Sequence, residues 1–139
     1  MGQTIKFDPL PAVGDIVYSL FPETKGVPAK KPRPALVTMI LELDDGSRIV
    51  RVAYGTSQKV RELHSGEFVI TPSAESAYIV SGLSFPTKFN LRRQENLPYT
   101  DEWFSVPSHR PFGQSPKLGA LHASLLRRAQ AAYDAISKR

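Results

Sequence analysis

The chain contains no cysteine, and that absence excludes disulfides, iron–sulfur ligation and thiolate zinc sites. Stability has to come from packing alone. No apolar run comes near the roughly 18 residues that a membrane-spanning helix needs. The start, Met1-Gly2-Gln3-Thr4-Ile5-Lys6, lacks the apolar centre of a signal peptide and has Lys6 where a myristoylation motif wants Ser or Thr. The expected location is the cytoplasm, with no membrane contact. Internal repeats, low-complexity tracts and a linker to a second domain are also missing, so a single domain over residues 1–139 is expected. A chain of 139 residues can bury roughly two thirds of its unfolded surface.

Acid is missing from one stretch in particular. Between Thr24 and Leu41 there is no Asp or Glu, while Lys25, Lys30, Lys31 and Arg33 all fall there. The net charge of +5 and a pI near 9.6 favour a polyanionic partner. Within this stretch runs Lys30-Lys31-Pro32-Arg33-Pro34-Ala35-Leu36-Val37. Each proline fixes its own φ and pushes the residue before it toward extended geometry, so Lys31 and Arg33 are pre-ordered on the way into an apolar strand. A planar, permanently charged fork without a competing acid suits phosphate.

Around it the pattern is mostly β. Gly14 opens a first strand to Leu20, and Phe21 to Pro34 reads as a loop too polar and proline-rich for the core. Ala35 to Leu43 reads as a strand buried on both faces, Asp44-Asp45-Gly46-Ser47 as a hairpin turn, and Arg48 to Tyr54 as its antiparallel partner, broken by Gly55. Phe68-Val69-Ile70 and Ala77-Tyr78-Ile79-Val80 read as short strands, and Gly82 to Leu91 as an extended segment that Pro86 assigns to an edge. Trp103, Phe104, Phe85 and Phe89 are expected in the core. Pro107 to Pro116 reads as a bridge to a closing helix over about 122–137, where Leu121, Leu125, Ala129, Ala132, Tyr133 and Ile136 recur at helical spacing. Arg127 and Arg128 fall on its polar face, and Lys138 and Arg139 suit the negative end of its dipole. The strands imply a small barrel or sandwich over about 12–106.

The order Gly14-Asp15-Ile16-Val17, a loop with Pro22 and Gly26, then Arg33-Pro34-Ala35-Leu36-Val37 resembles the opening signature of the PemK/MazF family, toxins of type II toxin-antitoxin modules. A second match is Ala53-Tyr54-Gly55-Thr56-Ser57-Gln58, where that family has a strand end and a functional threonine. The resemblance covers about residues 10 to 137. It implies a mostly β fold with a C-terminal α-helix, an SH3-like small barrel, and a homodimer. The implied activity is metal-independent, sequence-specific cleavage of single-stranded RNA such as mRNA, opposed by a cognate antitoxin.

On the same resemblance Arg33 and Thr56 are the catalytic pair, with Ser57 and Gln58 beside the RNA backbone. Lys30, Lys31, Lys59 and Arg61 are the basic residues available to its phosphates. A ribose 2′-hydroxyl attacks its own phosphate, so the protein must supply charge stabilisation and orientation. Many family members carry a glutamate shortly after the loop glycine, whereas here Gly26 is followed by Val27-Pro28-Ala29. The general base stays open between Glu23, just before that glycine, and His64, whose side-chain type titrates near neutrality. No cofactor or metal is expected: His64, His109 and His122 are too far apart for a short ligand motif, and Asp44-Asp45 is explained by its turn. Two other functions use the same barrel: an RNA-binding module without catalysis, and a gyrase-directed toxin of the CcdB kind.

Overall fold

Gly14, at φ +95, turns the chain into β1, Asp15–Ser19, in which Ile16 and Val17 are fully buried. In the computed structural model, which describes residues 4–137, five more strands follow: β2 Arg33–Glu42, β3 Arg48–Thr56, β4 Glu67–Ile70, β5 Thr87–Pro98 and β6 Lys117–Ala120. They form one curled antiparallel sheet in the order β4-β5-β3-β2-β1-β6. Helix α1 spans Glu75–Ser81, and a short 3-10 turn at Ala123–Leu125 leads into α2, Leu126–Ser137.

Alternation along the strands builds two cores. Ile16, Leu36, Ala53 and Phe89 join one cluster, to which Leu125 and Ala132 contribute from the C-terminal turn and α2. Val17, Ala35, Val37, Val50 and Val52 join the other, closed by Phe21, Tyr99 and Phe104. Because both faces are covered, the start of β2 reads as an unbroken apolar run. Each large side chain so buried contributes about 1.5–3 kcal/mol. Burial pushes the Tyr99 phenol up to about 12, so it stays neutral in the core.

The hairpin turn forms as expected. Gly46 takes φ +85, Leu43 N donates to Ser47 O at 2.8 Å, and Ser47 N donates to Asp45 Oδ1 at 2.9 Å. Hydrogen bonds from Ser47 hold the Asp45 carboxyl below its ordinary value. Double-sided burial of β2, however, stops at Val37. Met39, Leu41 and Leu43 are 39%, 37% and 49% exposed, because β1 pairs only with residues 33–36 and the hairpin runs on beyond it.

Other expectations are corrected. Phe21 is 1% exposed, so the loop after β1 is anchored in the core. Gly55 does not break β3; it lies inside the strand, where a Cβ would collide with the Pro34 carbonyl and the Phe89 ring. Ala77 to Val80 is helical, because Thr71 to Ala74 form a turn and Gly82 ends the helix in the left-handed region at φ +71. That placement presses α1 onto β6 so closely that Gly82 and Gly119 have no room for a Cβ. Pro86 precedes rather than interrupts β5, which is therefore internal, between β4 and β3. The sheet does not end near residue 106, since β6 adds a strand after the proline-rich bridge.

Helix α2 lies inside the range read from its periodicity, with Arg127 and Arg128 exposed. His122 caps the turn before it, Nδ1 accepting from Ser124 N at 3.0 Å. Lys138 and Arg139, and Met1 to Gln3 at the other end, lie outside the described residues. Among the described residues no helix is long and apolar enough to cross a membrane.

Candidate functional site

Arg33 is the first residue of β2 and stands opposite Ser19 of β1. On its other side β2 pairs with β3 through Ala35↔Tyr54, and the same register run on two residues brings Arg33 abreast of Thr56. Gly55 makes this possible, because only a residue without Cβ lets the Pro34 carbonyl and the Phe89 ring approach so closely. The two residues singled out in separate motifs therefore line one cleft of about 350 Å³.

Thr56 is oriented. Its Oγ1 accepts from Gln58 N at 3.1 Å, an arrangement that leaves its proton to be donated elsewhere. Ser57 also lines the cleft, whereas Gln58 and Lys59 continue into an exposed turn in which Lys59 has φ +51. Lys30 and Lys31 line a neighbouring groove of about 400 Å³, and that groove shares Arg33 with the cleft. Arg61 is exposed in the segment between β3 and β4.

The acid-free stretch is not free of acid in space. Glu23 returns to within 3.7 Å of Arg33, between side chains that are 37% and 62% exposed for arginine and glutamate respectively. Such an exposed pair is worth about 0–1 kcal/mol and is screened by salt. The loop itself is tied down: Val27 N donates to Thr24 O at 3.0 Å and Ala29 N to Leu20 O at 3.1 Å, and Phe21 at its start is buried. Glu23 faces the groove of Lys30 and Lys31 and does not line the cleft.

His64 lines a different surface groove, next to Arg128 and Ala132 of α2. Its backbone N donates to Glu67 Oε1 at 2.7 Å, and the same carboxylate pairs with the buried Lys88 at 3.1 Å. This cluster ties β4 to β5. The imidazole that does line the cleft with Arg33 and Thr56 belongs to His109, which is exposed and carries no hydrogen bond among the described residues. It comes from the bridge before β6, whose ends Pro107 and Pro116 are fully buried. The sequence carries no local signal for this placement, since a proline restricts the residue just before it, so Pro107 and Pro111 act on Val106 and Arg110 and not on His109.

Aromatic placement also differs from expectation. Phe89 and Phe104 are buried, Trp103 is half-buried, but Phe85 is 66% exposed at the cleft, offering a face on which a base can stack. Among the described residues no group of three His, Asp or Glu side chains is placed to hold a metal ion. Charge in the cleft thus rests on Arg33, with a threonine hydroxyl, a histidine and several serines around it. Such a set can bind a phosphodiester and move a proton. No protein-family model and no curated protein matches the chain.

Proposed function

We propose that this protein is a metal-independent endoribonuclease that cuts single-stranded RNA, acting as the toxin of a type II toxin-antitoxin module with a PemK/MazF-like small barrel. The observation that carries the reading is the convergence of Arg33 and Thr56, from two strands and two motifs, on one cleft that also holds an imidazole. In this reading His109 takes the proton from a ribose 2′-hydroxyl. The 2′-oxygen bonds to the adjacent phosphorus, and the bond from phosphorus to the 5′-oxygen breaks. Arg33 pairs with the non-bridging oxygens as charge builds there, and Thr56 donates to one of them. The departing 5′-oxygen takes a proton from water in the open cleft, and His109 returns its own to solvent. The nucleophile belongs to the substrate, so the reaction needs no cofactor.

A long single-stranded RNA incubated with the protein in EDTA should be cut into fragments ending in 2′,3′-cyclic phosphate and 5′-hydroxyl. Fragments with a 5′-phosphate, or cutting that requires magnesium, would refute this mechanism. RNA retained but left whole would instead favour a binding module.

Glu23 has a separate role in this scheme. Paired to Arg33 from outside the cleft, it competes with phosphate for the guanidinium. Glu23→Gln is therefore expected to lower KM for RNA several-fold with little change in kcat, the preference for the variant fading as salt rises. A collapse of kcat would make Glu23 the base instead. The module also supplies the partners: a second copy of the chain in a homodimer, and an acidic antitoxin segment that binds beside Lys30 and Lys31 by charge complementarity.

A further inference from the structure

Between its pairings with β3, strand β5 carries a large bulge. Ala53 faces Gln94 while Tyr54 faces Asn90, so Leu91, Arg92 and Arg93 have no partner on β3. The interruption is braced: Leu91 N donates to Gly66 O at 2.8 Å, Arg92 N to Asn90 Oδ1 at 2.9 Å, and Gln94 Nε2 to Leu91 O at 2.8 Å. A bulge satisfied this thoroughly re-aims side chains rather than weakening the strand.

Its three side chains go different ways. Leu91 enters the core. Arg92 commits its guanidinium to Ser65, donating to the backbone O at 2.9 Å and to Oγ at 3.0 Å. Arg93 lies over the Tyr54 ring, its guanidinium carbon 4.0 Å from the centroid, and also over Phe21 at 5.4 Å, the two rings meeting edge to face with centroids 5.2 Å apart. Stacking orders the guanidinium and consumes none of its N–H donors. Among the described residues no carboxylate pairs with Arg93 and no acceptor receives its donors.

The Arg33 guanidinium carbon lies 5.9 Å from the same Tyr54 centroid. The two guanidinium carbons can thus be no farther apart than those two distances laid end to end. Two forks this close, one at the cleft and one beyond it, suit consecutive charges on a single strand. We propose that Arg93, held on Tyr54, is a second phosphodiester-binding site that grips the RNA strand next to the phosphate being cut. This rests on the endoribonuclease reading and adds a residue to it. Phe21 and Tyr54 fix the fork in advance, which lowers the ordering cost of binding.

The test is binding of a labelled, random-sequence 2′-O-methyl RNA, which cannot be cleaved, across a salt series, with cleavage of ordinary RNA measured in parallel. Arg93→Gln should weaken binding about tenfold, the loss of one charge-assisted contact. It should flatten the dependence of log affinity on log salt by about 0.7. KM should rise while kcat holds. Arg93→Lys should restore the salt slope, because it restores the charge, and Tyr54→Leu should weaken binding with the slope retained. Weaker binding with an unchanged slope in Arg93→Gln would mark a structural role and overturn the proposal. Wild-type binding that Arg93→Gln leaves untouched would overturn it alone, whereas no RNA binding by the wild type would overturn it together with the endoribonuclease reading.

Discussion

Arg33→Ala should lower RNA cleavage at least about a hundredfold, because a lost transition-state charge contact costs about 2.7–4 kcal/mol. The fold should persist. Arg33 is partly exposed at the first position of β2, and its contact with Glu23 at 3.7 Å is too loose and wet to hold the strand in place. The apolar anchors beside it, Ala35, Leu36 and Val37, are buried and untouched by the change. Binding should suffer less than turnover, since Arg93 and the lysines of the adjoining groove remain. Arg33→Lys should recover only part of the rate, a point charge lacking the two-pronged geometry. Single-turnover cleavage alongside a thermal melt checks both halves, and near-wild-type cleavage by a folded Arg33→Ala protein would remove Arg33 from the mechanism.

His109→Gln should cost between about a hundredfold and ten-thousandfold in kcat, the range for a positioned general base. Glutamine keeps the size and a hydrogen-bonding tip but cannot accept the proton. His64→Gln, on the groove beside α2, should leave the rate alone. Single-turnover cleavage by the three proteins, each checked by a thermal melt, decides the matter: near-wild-type cleavage by folded His109→Gln together with a collapse in His64→Gln would reverse the assignment.

The elements most legible beforehand were those whose signals are local. The Asp44–Ser47 turn needed a glycine at positive φ and an aspartate able to bond two residues on, and both are visible in four letters. Helix α2 was legible in the spacing of Leu121, Leu125, Ala129, Ala132, Tyr133 and Ile136, all of which pack on the core except Tyr133, which is 54% exposed. Helix α1 was misread because Tyr78, Ile79 and Val80 favour strands by propensity, and only the turn before it and the glycine contact with β6 make a helix fit there. Strand β6 was missed for a related reason: Lys117-Leu118-Gly119-Ala120 is short and weakly patterned, and it becomes a strand by adding to the free edge of β1.

By itself the sequence determined that the protein would be mostly β with a closing helix, held without disulfides, and that Arg33 would arrive at a strand start already extended. Proline geometry, turn chemistry and alternation act within a few residues, so no partner is needed to read them. Only the tertiary structure decided which residues meet. Arg33 shares a cleft with Thr56 because Gly55 admits the Pro34 carbonyl and the Phe89 ring, and with His109 because the bridge before β6 is anchored at both ends by buried prolines. Glu23 folds back onto Arg33, and a bulge in β5 lifts Arg93 over Tyr54. Each of these depends on strand register and loop closure between distant segments, which one-dimensional spacing does not contain.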